Sequence, residues 1–243
     1  ETADIVDAAE KIRISKTLDL AASCSADNSV IAVASIYDDL VEKLIAEGGH
    51  LAKEGDYEKI AAVLWEDGHL NTKAVVLKPQ TLCQMAGVDI PADAKFIIMP
   101  ETGTGPDHPY SGEKLSVIMA FYKVSDIDEA IALTNQIQDY QGKGHSCGIY
   151  SNSDDNILKM GMGTKTSRVM VNQPQAASNS GNLWNGMRQT FSLGCGTWGG
   201  NSTNENINWK HLINVTWISK PLDTPKVIPA DNELFGDVIK TLA

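Results

Sequence analysis

The sequence predicts an α/β fold: a mostly parallel sheet flanked by helices. Three observations carry this. Short apolar or β-branched runs alternate with amphipathic helical patterns as far as residue 172. Apolar residues make up 42% of the 243, enough for a full core without staples and for one large domain or two small ones. No internal repeat or low-complexity tract interrupts the pattern.

Ile5, Ala8, Ala9 and Ile12 fall on one face and predict a helix over 3–16. A patch of small residues follows, then a strand over 30–33. Leu40, Val41, Leu44 and Ile45 predict a helix over 36–53, with Gly48-Gly49 as a weak stop. A third helix is expected over 55–66, a short strand over 74–77, and a short helix over 79–86. Residues 94–100 read as a buried strand and 102–112 as a Gly/Pro-rich loop. A long strand over 115–124 leads to a helix over 126–138 capped by Asp126. Strands are expected over 145–150 and 168–172, separated by a helix over 154–160. Residues 173–208 form a loop dense in Gly, Asn and Ser, too long to be mere connection. A half-apolar strand over 211–219 and a helix over 232–241 close the chain. An edge strand of that kind invites pairing with a second chain.

With Lys+Arg 20 and Asp+Glu 31, the net charge is −11. This argues against nucleic acid or an anionic membrane as the main partner. No apolar run approaches a bilayer span and no secretory signal is visible. Cys24, Cys83, Cys147 and Cys195 show no CxxC or zinc spacing, so free thiols in a reducing cytoplasm are expected, with no metal site.

Four stretches could carry chemistry. Cys24 lies among small residues at the mouth of a strand, where a substrate can reach a thiol. Glu113 opens a strand after a flexible loop. His145 is framed by Gly142 and Gly144. Gly194, Gly196 and Gly199 form G-x-G-x-x-G, but no strand precedes them and no helix follows, so the dinucleotide fingerprint is rejected in favour of a tight loop over a site. A Cys, a His and a Glu at sheet edges suggest a thiol catalyst. Residue types alone leave two chemistries open: a cysteine hydrolase with Glu113 orienting His145, or aldehyde oxidation through a thiohemiacetal. A non-catalytic assembly module of the same fold is a third reading.

Cys24-Ser25-Ala26-Asp27-Asn28-Ser29-Val30, Glu113-Lys114-Leu115-Ser116, Gly144-His145-Ser146 and Gly194-Cys195-Gly196-Thr197-Trp198-Gly199-Gly200-Asn201-Ser202 together resemble the CoA-acylating branch of the aldehyde dehydrogenase superfamily. Within that branch, the Cys24–Ser29 form and the ending 208–217 are similar to the enzymes acting on sulfoacetaldehyde. The resemblance implies a catalytic domain of the aldehyde dehydrogenase type with an oligomerisation strand near 210–220. It implies NAD or NADP as cofactor, coenzyme A as co-substrate and a homo-oligomer. Cys24 would be the nucleophile, His145 its proton-transfer partner, and Glu113 the holder of the nicotinamide ribose. Gly194, Gly196 and Gly199 would line the acyl or CoA entrance. Arg188 is the candidate cation for an anionic aldehyde. Val117 departs from the proline usual after Glu-Lys-Leu-Ser. The family's N-terminal nucleotide-binding domain has no counterpart in this sequence, so residues 1–243 are expected to be the thiol-bearing part of a longer enzyme, inactive alone.

Overall fold

The structure, a computed structural model, describes residues 2–242 and falls into two units that divide after Asn208. In the first unit, Asp4 caps α1 (Ile5–Thr17), its carboxylate accepting the N–H groups of Val6 and Asp7 at 3.1 Å. The chain continues through β1 (Ser29–Val33), α2 (Tyr37–Ala46), β2 (Gly49–Leu51) and α3 (Asp56–Leu64). A small hairpin of β3 (Trp65–Glu66) and β4 (His69–Leu70) precedes α4 (Pro79–Ala86), β5 (Phe96–Pro100), β6 (Ile118–Val124) and α5 (Ile127–Tyr140). Then come β7 (Cys147–Ile149), α6 (Asp154–Gly163), β8 (Val169–Val171) and the single-turn α7 (Gln175–Ser178).

The main sheet is parallel throughout, in the order β1-β6-β5-β2. β7 and β8 form a separate parallel pair. Both faces of the main sheet are covered, which is why β5 and β6 read as continuous apolar runs rather than alternating ones. The period of two splits them between two cores. Ile97, Met99, Ile118, Ala120 and Tyr122 face α3 and α4 with Ile60, Leu64 and Leu82. Phe96, Ile98, Met119 and Phe121 face α1 and α2 with Ile12, Leu40 and Leu44. Each large side chain so buried contributes about 1.5–3 kcal/mol.

Three elements differ from the pattern expected. The helix expected over 36–53 stops at Ala46, because Gly48 turns left-handed (φ 98) and residues 49–51 join the sheet beside β5. A Cβ on Gly49 would lie 2.8 Å from the Leu44 carbonyl and 2.9 Å from Ile98 Cδ1, so the second glycine serves close docking of a strand. Residues 74–77 make turns, not a strand: the Ala74 N–H donates to the Asn71 carbonyl, and Val76 sits at φ 55. The long strand starts at Ile118 rather than 115, because Leu115 (φ 42) kinks the chain and turns Lys114 and Ser116 inward, both fully buried.

The second unit holds a turn of 3-10 helix at Trp209–Leu212 and the helix α8 (Asp231–Leu242). The strand expected over 211–219 has no ladder partner among the described residues. No described helix is long and apolar enough to cross a membrane.

Candidate active site

The site forms at the amino-terminal edge of the sheets, where three separate segments enter β1, β6 and β7. Cys24 lies in the turn before β1. The lead-in is unusual: Asp19, Leu20 and Ala21 all take left-handed φ values, 49°, 52° and 61°. For residues with a Cβ this costs about 1–2 kcal/mol each. Beyond it, the Ser23 hydroxyl accepts the Ser25 N–H at 3.2 Å and the Ser23 carbonyl accepts the Ala26 N–H at 3.0 Å. These bonds close a tight turn that leaves Cys24 exposed.

His145 reaches this thiol from the entry to β7, with Nε2 3.2 Å from Cys24 Sγ. Its Nδ1 is 2.9 Å from Ser146 Oγ. With Nδ1–H donating to that hydroxyl, Nε2 is left to accept the thiol proton. Burial, and then the Arg168 charge, hold the imidazole below the usual histidine range. The ring is therefore neutral near pH 7, the form able to act as a base.

Asn28 ties the thiol turn to the third segment. Its Oδ1 accepts the Lys114 N–H at 3.1 Å while its amide donates to the Ala26 carbonyl at 3.2 Å. Glu113 is thereby brought to the same place; its own N–H donates to Gln141 Oε1 at 2.8 Å. A cavity of about 830 Å³ is lined by Cys24, Asn28, Glu113, Gln141, His145 and Ser146 among others. The exposed Glu113 carboxylate offers that cavity an acceptor of the kind a ribose diol needs. It is not the partner of His145, whose Nδ1 meets Ser146; the hydrolase arrangement lacks its orienting acid.

The other expected residues lie elsewhere. Gly194, Gly196 and Gly199 do not line the cavity. They let their loop lie against the turn that presents His145: a Cβ on Gly144 (φ 82) would fall 2.2 Å from the Cys195 carbonyl oxygen, and one on Gly199 2.9 Å from that of Lys143. Arg188 is exposed on the same long loop, outside the cavity wall; its carbonyl accepts the Asn206 amide at 2.8 Å. Sequence reasoning missed Asn28, Gln141 and Arg168 as parts of the site. Asn28 stood within a quoted motif, and a charged residue opening an apolar strand was the one signal for Arg168.

No family model matches the chain. Over 99% of its length it is 39% identical to a sulfoacetaldehyde dehydrogenase of Acholeplasma sp, of which it covers 50%. An acetylating aldehyde dehydrogenase from Geobacillus thermoglucosidasius superposes with a TM-score of 0.86 at 32% identity, over 93% of this chain and 50% of that one. By sequence and by fold the chain is similar to these aldehyde dehydrogenases. It spans about half the length of the relatives it matches. A protein of similar fold, the propionaldehyde dehydrogenase of Rhodopseudomonas palustris, was solved with bound CoA and an acylated cysteine. It superposes with a TM-score of 0.72 at 26% identity, over 84% of this chain and 45% of that one.

Proposed function

We propose that this chain is the thiol-bearing part of an enzyme that oxidises an aldehyde and transfers the acyl group to coenzyme A. The observation that carries the proposal is the 3.2 Å approach of Cys24 Sγ to His145 Nε2 at the wall of a cavity shared with Glu113. The acylated cysteine of the propionaldehyde dehydrogenase supports it.

His145 takes the Cys24 proton, and the thiolate adds to the aldehyde carbonyl. The alkoxide so formed lies beside the Cys24 backbone, whose N–H is the donor we assign to it. When bound, NAD or NADP accepts the hydride that leaves as this adduct collapses. Glu113 would hold the nicotinamide ribose through its exposed carboxylate. Cys24 is left carrying a thioester. The acyl group would pass to the thiol of coenzyme A, whose proton is lost to solvent, and the freed Cys24 thiolate recovers its own proton from His145. The neutral imidazole suits both transfers, since it can accept and return one proton near pH 7.

Two finer assignments belong to the same reading. The substrate is a short anionic aldehyde, sulfoacetaldehyde in the first instance, with Arg188, exposed outside the cavity wall, as the cation that steers the anion toward it. The intact enzyme is a homo-oligomer in the cytoplasm. The unpaired segment after Leu212, with Trp217 and Ile218 90% and 86% exposed, is the surface offered to a second copy, and the four cysteines are free.

The test is reduction of NAD(P)+ by the intact protein with sulfoacetaldehyde, acetaldehyde or succinate semialdehyde, with and without coenzyme A. Turnover should need both aldehyde and coenzyme A and vanish in Cys24→Ala. Arg188→Met should raise KM for sulfoacetaldehyde and leave that for acetaldehyde. Ester hydrolysis without either cofactor, and no aldehyde oxidation, would replace this reading with the hydrolase.

A further inference from the structure

Arg168 stands just before β8 and is only 5% exposed. A buried guanidinium loses its hydration and must recover it from the protein. Here every acceptor given to it is neutral. Nε donates to Asn206 Oδ1 at 3.0 Å, and Nη1 to the His145 carbonyl at 3.1 Å. Nη2 donates to the Gly194 carbonyl at 2.9 Å and to that of Asn204 at 3.4 Å. One side chain therefore gathers the His145 backbone and both arms of the 193–206 loop, which itself lies against Gly144. No carboxylate pairs with Arg168 among the described residues, so its charge is not cancelled. The groups acting on it electrostatically are the thiols of Cys195 and Cys24.

We propose that Arg168 is the positioning residue of the thiol site: it fixes His145 against Cys24 and, through its uncancelled charge, adds to the effect of burial in keeping the imidazole ready to take the proton. This rests on the reading of Cys24 and His145 given above.

The geometry gives each half of the proposal a separate cause. The fork holds the backbone of the residue that carries the base, so losing it lets the ring drift from 3.2 Å. The charge is a separate matter, and a positive neighbour disfavours a second cation at the ring. The other charged or titratable groups around His145 do not reproduce it. Cys24 and Cys195 bring no positive charge. Glu113, on the cavity wall, would favour the imidazolium. On the turns either side, Lys143 and Lys165 both pair with Asp139, at 2.7 and 3.2 Å, in solvent. The two lysines share one carboxylate, and the single positive charge left over is exposed and screened by solvent, unlike that of buried Arg168.

The experiment uses the intact protein without aldehyde or cofactor. The alkylation rate of Cys24 by iodoacetamide is followed against pH, with Cys24→Ala giving the background of the other thiols. The His145 ring is titrated by NMR, assigned by loss of its signal in His145→Ala. In Arg168→Met, the His145 midpoint and the acid limb of alkylation both move to higher pH. In Arg168→Lys, the charge remains but the fork is lost. The midpoint then stays near that of the parent, while the rate falls roughly 10- to 100-fold across the pH range. If Arg168→Met does not fold, Arg168→Lys carries the test alone with that split between midpoint and rate. An unchanged midpoint in Arg168→Met, or parental alkylation in Arg168→Lys, overturns the proposal. Either result would leave aldehyde oxidation intact; loss of that activity in the parent protein would instead remove the reading beneath it.

Discussion

Lys16 and Asp27 are a pair of charged residues with almost no access to water, 0% and 4% exposed, directly behind the Cys24 turn. Asp27 Oδ1 accepts the Gln175 amide at 2.8 Å. Lys16 Nζ and Asp27 Oδ2 have no hydrogen-bond partner, so the two groups act on each other only through space. Burial lowers the Lys16 ammonium to about 7, against the raising effect of Asp27. That drop, from 10.5, means a protonated Lys16 costs the fold about 5 kcal/mol relative to the neutral amine. Burial raises the Asp27 carboxyl.

Replacing Lys16 by Met removes the one cation assigned to Asp27, and Asp27→Asn strands the lysine. At pH 7 Asp27→Asn should cost less than about 1 kcal/mol, because Lys16 sheds its proton rather than staying charged; Lys16→Met should cost about 3–5 kcal/mol, and the two changes together should recover most of that loss. The sign with pH follows from the remaining group. In Lys16→Met, the folded state keeps a proton on Asp27 that the unfolded chain has released. Its stability therefore falls as pH rises above the unfolded carboxylate value, by at most about 1.4 kcal/mol per pH unit. The parent chain has the opposite slope above pH 7, because there the unfolded lysine holds a proton that folded Lys16 gives up. Urea denaturation of the intact protein from pH 5 to pH 8 measures both. Additive single effects, or a Lys16→Met loss that does not change with pH, would refute the argument.

Gly144→Ala places a Cβ 2.2 Å from a backbone oxygen at a left-handed φ, so it should destabilise by roughly 2 kcal/mol or more and slow Cys24 alkylation, read by denaturation and by thiol labelling. Asp19→Gly acts on an exposed residue at φ 49 and should stabilise by about 0.5–1 kcal/mol; a loss of midpoint would show that the left-handed turn before Cys24 is not strained. Glu113→Gln should raise KM for the nicotinamide cofactor more than it lowers kcat, and an unchanged KM would remove Glu113 from the ribose site.

Much of the frame was legible because its signals are local. Ile5, Ala8, Ala9 and Ile12 repeat at helical spacing, Asp126 sits where a cap must, and residues 96–100 are too apolar to lie anywhere but inside a covered sheet. Cys24 and His145 were legible as chemistry for a related reason. A small-residue turn and a pair of flanking glycines describe each residue's own neighbourhood. The errors also share a cause. Gly48-Gly49 reads as a helix stop until β5 is beside it, and residues 74–77 look like a strand until no partner strand is found for them.

What the sequence determined by itself was the inventory: a parallel α/β frame, a reachable thiol, an imidazole, and a carboxylate at a third strand entrance. What the tertiary structure decided was which of these meet. Residues 121 positions apart stand 3.2 Å from each other, Ser146 rather than Glu113 takes the far side of the imidazole, and the glycine loop buttresses His145 instead of facing the cavity. Arg168 shows why. Its acceptors come from residues 145, 194, 204 and 206, and such long-range partners leave no periodicity in the chain that could announce them.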